Sequence, residues 1–235
     1  MYRTLRTLLG SYLFLFIITA PIFTASLFRK TNDLPHVMAR HWAQYTLSSA
    51  KTSVDVSGNE NIPAQPAIYM ANHSSYFDVF AVLARLNVQF KWIVKKELFD
   101  IPLLGINMKR CGYISVDRDH HDNALKSIEL AKEKLRSGTS IFIFPEGTRS
   151  ENGILRYPFK KGGFHLALLT GAPIVPIAII GAREILPKDG MIVKPGKIML
   201  VIGKPIYPDG HHMESLMEKT FEAISTCVAE ISILK

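Results

Sequence analysis

Short apolar segments that alternate with helix-like stretches constrain the fold of this chain more than any other feature. Residues 67–71, 140–144 and 174–180 are compact apolar runs of strand length, and 121–136 and 213–233 carry apolar residues at helical spacing. Strands that alternate with helices predict an α/β sandwich with a mixed, largely parallel central sheet. Further strands are predicted at 52–58, 90–94, 112–116 and 197–202, further helices at 36–47, 77–86 and 163–169, and a loop around Pro102, Gly105 and Asn107.

The composition narrows the class of protein. Of the 235 residues, 48% are hydrophobic and 20% are charged, which excludes a disordered chain. Two cysteines are too few for a disulfide scaffold or a structural zinc site, and the histidine pairs at 120–121 and 211–212 lack a ligand set, so we expect no metal. The net charge of +8 favours an anionic lipid or substrate. We expect no nucleic-acid partner, because zinc-finger spacing and RNP-type aromatic motifs are missing.

The amino-terminal segment is strongly apolar. Residues 8–28 contain no charged side chain, and as one helix they would span about 31 Å, close to the thickness of the bilayer core. Three interpretations compete: a cleaved signal peptide, a transmembrane helix, and an anchor that Pro21 breaks into two helices dipping into one leaflet. Basic residues flank both ends, so the positive-inside rule assigns no orientation. We favour membrane attachment, and within it the anchor, with residues 1–35 as the anchor and 36–235 as one catalytic domain.

A polar cluster follows the predicted strand at 67–71. Asn72, His73 and Asp78 lie where open α/β sheets place their sites, at the carboxyl end of a strand. If His73 is in the loop and Asp78 in the first turn of the next helix, the carboxylate can orient the imidazole as a general base for an alcohol. Alternatively, His73 and Ser74 cap the helix and Asp78 is a favourable first-turn charge. A serine nucleophile is disfavoured because no G-x-S-x-G motif is present.

Two more clusters follow predicted strands. Arg118 comes after the strand at 112–116 and offers a guanidinium for a phosphate, although an Asp117–Arg118 surface pair is the plainer alternative. The turn at 144–150 offers Glu146 and Arg149, with Gly147 allowing close backbone approach to a ligand. An ordinary polar loop is the alternative there.

These residues resemble the conserved blocks of the glycerolipid acyltransferases. Asn72-His73 with Asp78 is similar to their N-H-x-x-x-x-D box, and Phe-Pro-Glu-Gly-Thr-Arg-Ser at 144–150 matches their F-P-E-G-T-R-S block. Residues 112–118 and 175–177 resemble the second and fourth blocks, in the same order. On this basis the chain is identified as a member of the 1-acyl-sn-glycerol-3-phosphate (lysophosphatidate) acyltransferases, and the resemblance covers about 36–235.

The resemblance implies an O-acyltransferase that moves an acyl group from an acyl-carrier-protein or coenzyme A thioester to the 2-hydroxyl of lysophosphatidate, giving phosphatidate without an acyl-enzyme. His73 and Asp78 are then the catalytic pair, and no cofactor or metal is needed. The implied binding residues are, for the glycerol phosphate, Asn72, Arg118, Glu146, Gly147, Thr148 and Arg149; for a basic rim, Lys95, Lys160 and Lys161; and for an acyl groove, Val175, Pro176 and Ile177.

The resemblance also implies the partners and the location. The acceptor is a membrane lipid and the donor is cytosolic, so we expect a bilayer-bound enzyme on the cytoplasmic face of a bacterial inner membrane. Three alternatives stay open at this point: the same chemistry on another lysophospholipid or a lyso-aminolipid, a thioester hydrolase, and a non-catalytic membrane protein that binds anionic lipid through its lysines.

Overall fold

The computed structural model of the chain describes residues 2–28, 33–117 and 121–233, and it is built around one seven-stranded sheet. The strands are β1 (Thr52–Ser57), β2 (Ile68–Ala71), β3 (Phe90–Lys95), β4 (Ile114–Val116), β5 (Ser140–Ile143), β6 (Ile174–Ile180) and β7 (Gly196–Ile202). The helices are α1 (Tyr2–Phe28), α2 (Asp33–Ser49), α3 (Tyr76–Arg85), α4 (Leu104–Arg110), α5 (His121–Arg136), α6 (Gly162–Thr170), α7 (Ala182–Ile185) and α8 (Met213–Ile233), with short 3-10 helices at Asn59–Asn61 and Lys96–Asp100.

The sheet has the order β1-β7-β6-β2-β5-β3-β4. Every neighbouring pair is parallel except β6 and β7, so β1 and β7 run against the other five strands. The predicted mixed, largely parallel sheet is therefore confirmed. The carboxyl ends of β2, β5 and β6 meet at one edge, which brings the segments that follow them together.

Helices cover both faces of the sheet. Tyr69 and Ala71 of β2 join the core under α2 and α3, whereas Ile68 and Met70 join the core under α5, α6 and α8. Because successive side chains of a strand point to opposite faces, a strand buried on both sides is apolar at every position. This explains why the central strands are unbroken apolar runs in the sequence.

Helix α1 has an inverted distribution of side chains. Many of its large apolar residues face outward while small polar residues are buried: Thr7 is only 1% exposed, whereas Phe16 is 61% exposed. Leu15 and Ile18 are buried apolar residues of this helix. The outward residues are Tyr2, Leu5, Leu8, Leu9, Tyr12, Leu13, Phe16 and Ile17. The inward side is bonded to α2, since the Ser11 hydroxyl lies 2.8 Å from that of Thr46 and accepts a hydrogen bond from the indole N–H of Trp42.

Two predictions about helices need correction. Helix α1 runs unbroken from Tyr2 to Phe28, so the break predicted at Pro21 is wrong. A proline removes one backbone hydrogen bond of a helix, and the bonds on either side can continue it. The segment predicted as a loop around Gly105 contains a 3-10 helix and α4. Among the helices of the described residues, none is both long and apolar enough to cross a membrane.

Candidate active site

The chain leaves β2 through an asparagine that continues the pairing of the sheet. The Asn72 side-chain N–H donates to the carbonyl of Ile179 at 2.8 Å, and its side-chain oxygen accepts from the N–H of Ile179 at 2.7 Å. The amide thus pairs with β6 as one more strand residue would. Its two polar atoms hold the main chain in place, and a role of Asn72 in binding the glycerol phosphate stays a prediction.

A serine caps the next helix. Ser75 is the N-cap of α3, with extended backbone at φ −148°, and its hydroxyl accepts a hydrogen bond from the N–H of Phe77. Asp78 is the third residue of the helix, and its carboxylate accepts a hydrogen bond from the N–H of Ser75, which completes a capping box. His73 lies in the loop and Asp78 in the first helical turn, so the condition under which the two side chains can meet is fulfilled. The Ser75 hydroxyl also donates to the carbonyl of Leu186.

One oxygen of Asp78 collects three N–H donors. Oδ2 accepts from the main chain of Ser74 and Ser75 at 2.7 Å each, and lies 2.8 Å from Nδ1 of His73. The side chain is 0% exposed, and Oδ1 has no hydrogen-bond partner among the described residues. Capping and orienting the imidazole were alternatives in the sequence. In the structure the same carboxylate does both.

Both the ring and the main chain of His73 are held by contacts within the chain. Its ring stacks on Phe144 with centroids 3.9 Å apart and planes 10° apart, its N–H donates to Oε1 of Glu146 at 2.6 Å, and its carbonyl accepts from Ser150 at 2.8 Å. Because a carboxylate only accepts hydrogen bonds, Nδ1 carries the proton and Nε2 has the lone pair of the neutral ring. Nε2 has no hydrogen-bond partner in the described part of the chain, and the side chain is 15% exposed. The geometry is that of a general base.

Glu146 joins the loops that follow β2 and β5. Oε1 accepts from the main chain of His73 and Oε2 from the main chain of Arg156 at 3.0 Å. The side chain is 6% exposed, and burial raises the pKa of its carboxyl from 4.5 to about 7, although the two N–H bonds act in the opposite direction. Gly147 follows at φ 76°, a left-handed conformation that favours glycine. A role of Glu146 in gripping substrate stays a prediction.

Arg149 lies beside the start of α3. Its guanidinium carbon is 3.9 Å from the ring centroid of Tyr76, and it donates to the carbonyl of Lys188 at 3.1 Å. Thr148 next to it is exposed. The arginine therefore lies next to the loop that carries His73, and its planar cation is of a kind that suits a phosphate.

The remaining predicted residues are dispersed. Lys95 is exposed and pairs with Glu97 at 3.1 Å, while Lys160 and Lys161 are exposed just before α6. The main chain of Lys160 donates to the carbonyl of Pro145, so this pair lies close to the turn at 144–150. Arg118 lies outside the described residues.

The predicted acyl groove is not an open surface. Val175, Pro176 and Ile177 belong to β6, which lies between β2 and β7, and all three are buried. Val175 and Ile177 are part of the core beneath α2 and α3. Helices cover the faces of the sheet here, and a role of these three residues in an acyl groove stays a prediction.

Sequence reasoning missed three supports of the site. The ring of Phe144 under the imidazole and the N–H of Ser150 come from the segment after β5, and no local pattern indicates such contacts. The capping role of Ser75 was detectable, because a serine three residues before an acidic residue at the start of an apolar run is a capping-box pattern.

Comparison with known proteins places this geometry in a family. A family model described as Acyltransferase matches residues 53–180. The chain is 34% identical over 198 residues to a chloroplastic 1-acyl-sn-glycerol-3-phosphate acyltransferase of Brassica napus, covering 83% of this chain and 57% of that protein. It is 33% identical over 205 residues to a 1-acyl-sn-glycerol-3-phosphate acyltransferase of Pseudomonas aeruginosa, covering 83% of this chain and 78% of that protein.

A solved structure agrees over nearly the whole chain. The crystal structure of the 1-acyl-sn-glycerophosphate acyltransferase PlsC from Thermotoga maritima superimposes with a TM-score of 0.79 at 28% identity, covering 98% of both chains. The chain spans about half the length of the plant relatives that it matches, 57% for Brassica napus and 48% for Arabidopsis thaliana. From the family model and the bacterial relative together, the chain belongs to the acyltransferase family.

Proposed function

We propose that this protein transfers a fatty acyl group from an acyl thioester to the 2-hydroxyl of 1-acyl-sn-glycerol 3-phosphate, forming phosphatidate. The observation that carries the proposal is the pairing of His73 Nδ1 with Asp78 at 2.8 Å, while Nε2 is left without a partner among the described residues. The relatives from Brassica napus and Pseudomonas aeruginosa, both named as 1-acyl-sn-glycerol-3-phosphate acyltransferases, support the choice of acceptor.

The first step is removal of a proton from the acceptor. Nε2 of His73 takes the proton of the 2-hydroxyl as its oxygen attacks the carbonyl carbon of the thioester. The imidazole becomes positively charged, and the carboxylate of Asp78 stabilises that charge across the 2.8 Å contact. The Phe144 ring keeps the imidazole plane fixed, so little reorganisation is needed.

The second step expels the thiol. The tetrahedral intermediate collapses, the carbon–sulfur bond breaks, and the thiolate takes the proton from Nε2, so His73 ends as it began. The products are the new ester and the free thiol, and no acyl-enzyme forms. The Ser75 hydroxyl does not compete as a nucleophile, because it is buried and donates to the carbonyl of Leu186.

We assign recognition of the phosphate to Arg149 and its neighbours, next to the loop that carries His73. Arg149 offers guanidinium N–H groups there, with Thr148 and Gly147 beside it, and Lys160 and Lys161 add positive charge near the same turn. Arg118 completes the proposed set. The donor is an acyl-carrier-protein or coenzyme A thioester.

Membrane attachment is the second part of the proposal. The outward face of α1 carries Leu9, Phe16 and other large apolar side chains, while the hydroxyl side chains of Thr4, Thr7 and Ser11 are buried. This arrangement suits a helix that lies in one leaflet with its apolar face in the acyl chains. The catalytic domain then lies on the cytoplasmic side of a bacterial inner membrane, where the thioester donors are.

A panel of acceptors tests the reaction. Purified protein is given acyl-coenzyme A or acyl-carrier protein together with lysophosphatidate, lysophosphatidylcholine or a lyso-aminolipid, and the products are separated. We expect phosphatidate to form, and the variant His73→Ala to reduce its rate by about 10²–10⁴-fold with the unfolding temperature unchanged. Preference for another lysolipid, or rapid thioester hydrolysis without any acceptor, would contradict the proposal.

A further inference from the structure

A cavity of about 490 Å³ lies at the amino-terminal end of α1, away from the histidine loop. It is bounded by the first turns of α1, by the turn before β1 and by the segment before β7. Four cationic side chains line it, namely Arg3, Arg6, Lys51 and Lys194. Neither the catalytic steps nor the proposed phosphate grip near Arg149 uses any of them.

The charge in this cavity is one-sided. Among the described residues, its lining contains no carboxylate, and none of the four cations forms an ion pair within the described part of the chain. Four like charges around one cavity repel one another unless an anion lies between them. Two guanidinium groups and two ammonium groups together suit the oxygens of a phosphate.

The walls of the cavity are fixed by contacts within the chain. Arg6 donates to the carbonyl of Ser49 at the end of α2, and the N–H of Val193 donates to the hydroxyl of Thr4 at 3.0 Å. Lys51 occupies a turn at φ 57°, a conformation that is uncommon for a residue with a side chain. The cations are thus presented by three segments that are bonded to one another, which distinguishes the cavity from a diffuse charged surface.

Apolar side chains surround the cations. Met191 is 86% exposed and Ile192 is exposed beside it, and Tyr2 and Leu5 begin the outward apolar face of α1. A partner that fits both features must present an anionic layer next to an apolar one. An anionic phospholipid surface has that chemistry, because its phosphates lie directly above its acyl chains.

The cavity is separate from the place where the acceptor reacts. Both lie at the same edge of the sheet, because β1 begins where β2 ends. Strand order puts β1 three steps from β2, and at roughly 4.8 Å a step this is about 14 Å. The phosphate and the reacting hydroxyl of a glycerol phosphate are only a few bonds apart, so one molecule cannot place both groups in the two sites.

We propose that this cavity binds the phosphate of an anionic bilayer phospholipid and so holds the start of α1 at the level of the headgroups. The inference rests on the proposed membrane attachment and is independent of which lysolipid is acylated. The segment from 186 to 195 carries Leu186 and Lys188, whose carbonyls bond Ser75 and Arg149, and it ends at the cavity. A lipid bound there therefore orients the catalytic edge of the sheet toward the bilayer.

Vesicle flotation of the full chain tests the proposal. Wild-type protein is compared on vesicles of phosphatidylcholine alone and on an equimolar mixture with phosphatidylglycerol, and we expect tighter binding to the mixture. The double variant Lys51→Gln/Lys194→Gln should weaken binding to the mixture by about tenfold or more. The control Lys126→Gln/Lys204→Gln removes the same charge from exposed positions on α5 and after β7, and should bind like the wild type.

Competition identifies the source of the phosphate. Short-chain dihexanoyl phosphatidylglycerol should displace the protein from mixed vesicles, and inorganic phosphate at equal ionic strength should not. Equal competition by phosphate would assign the cavity to a free anion and overturn the proposal. If the control variant weakens vesicle binding equally, the attraction is diffuse and the proposal is overturned. If the Lys51→Gln/Lys194→Gln variant floats normally but loses binding to acyl-carrier protein, the cavity belongs to a protein partner, and the proposal is likewise overturned.

Flotation requires no turnover, so this test is separate from the test of the reaction. The variant His73→Ala, which should be inactive, is expected to float like the wild type. If it does, and the Lys51/Lys194 variant also floats normally, the lipid site fails while the acyl-transfer proposal stands. Unfolding temperatures of all variants are measured in parallel, and wild-type competition remains decisive if a variant folds poorly.

Discussion

The loop after β2 and the outward face of α1 differ in how far their side chains find partners within the chain. In the loop, the polar groups of His73, Ser74 and Ser75 converge on one buried oxygen of Asp78, and the main chain around them is bonded to Glu146 and to the loop after β5. On α1 the hydroxyls of Thr4 and Ser11 are also bonded inside, but the large apolar side chains of the outward face are exposed.

The difference separates what the chain does by itself from what it does with a partner. The loop is held by hydrogen bonds within the chain, so its geometry does not depend on anything outside the protein. The face of α1 is incomplete, because exposed apolar area of this size is stabilised only when something covers it. Variants in the first region should therefore alter the reaction wherever it is assayed, and variants in the second should alter it only when a bilayer is present.

The largest effect is expected from Asp78→Asn. Ser75 remains as the N-cap and the asparagine oxygen can still accept from its N–H, so α3 should still form, but the charge that stabilises the imidazolium is lost. The rate should fall by about 10²–10⁴-fold, in detergent and on vesicles alike. Because Oδ1 lacks a partner among the described residues, the new amide group would be unsatisfied, and the free energy of unfolding should fall by about 1–3 kcal/mol.

Ser75→Ala is the matched control for this variant. It removes the capping hydroxyl and its bond to Leu186, so it should lower the free energy of unfolding by about 1–2 kcal/mol. The charge of Asp78 remains, and the rate should change far less than in Asp78→Asn. Similar rates in the two variants would show that the carboxylate acts only as a cap.

Next in size is the double variant Leu9→Gln/Phe16→Gln on the face of α1. Both side chains are more than half exposed, and transferring them to the bilayer should contribute about 2–3 kcal/mol together. Vesicle binding should therefore weaken by about 30-fold to 150-fold. Turnover on lysophosphatidate dispersed in neutral detergent should stay near the wild-type value.

The control for α1 is Leu125→Gln/Leu130→Gln on α5. These residues are also exposed and apolar, but α5 packs on the opposite face of the sheet. Their replacement should leave vesicle binding unchanged. If both pairs weaken binding alike, the attachment reflects total surface hydrophobicity and the contrast between α1 and the rest of the surface is lost.

Much of the architecture follows from periodicity, and the exceptions have physical reasons. The central strands are recognisable because burial on both faces makes them apolar throughout. Gly105 suggested a loop, yet it lies in α4, where a Cβ atom would approach the carbonyl oxygen of Phe99 to 1.9 Å. There glycine is required by a close approach of main chain, which single-sequence patterns do not distinguish from a turn.

The site was predictable to the extent that it is local. The His73–Asp78 pair lies within one loop and the first turn of α3, so the sequence allowed it, and the resemblance to the acyltransferase blocks favoured it over a simple helix cap. The contacts from Phe144 and Glu146 depend on β2 and β5 being neighbours in the sheet, and strand order is not written in any one segment. The buried position of Val175 and Ile177 has a similar cause, since the helices that cover this face of β6, α2 and α3, come from other parts of the chain.

Glu146→Gln should change how stability depends on pH. Burial raises the carboxyl pKa from 4.5 to about 7, so between these values the native state holds a proton that the unfolded chain has released. The wild-type free energy of unfolding should therefore fall as pH rises through this range, by about 3 kcal/mol at most, and level off above it. Glutamine has no such proton, so the free energy of unfolding of the variant should lack this fall of about 3 kcal/mol.

Denaturant unfolding at about pH 5 and about pH 8 measures this difference. The absolute stability of the variant will also fall, because an amide cannot accept from the N–H groups of both His73 and Arg156. The slope isolates the carboxyl group from that loss. Identical slopes would show that the loop is held without a buried titrating carboxyl group, and the picture of a self-contained site would need revision.

The smallest effect is expected from replacing Tyr76, which contacts the proposed phosphate-binding arginine. The Tyr76 ring beneath the Arg149 guanidinium should contribute about 0.5–1 kcal/mol to holding that cation in place. In Tyr76→Leu we expect the KM for lysophosphatidate to rise about two- to fivefold with kcat unchanged, because the arginine grips the acceptor and takes no part in proton transfer. Tyr76→Phe keeps the ring and should behave like the wild type. A lower kcat in both variants would place Tyr76 with the histidine loop rather than with the phosphate, because only groups near the reacting atoms change the chemical step.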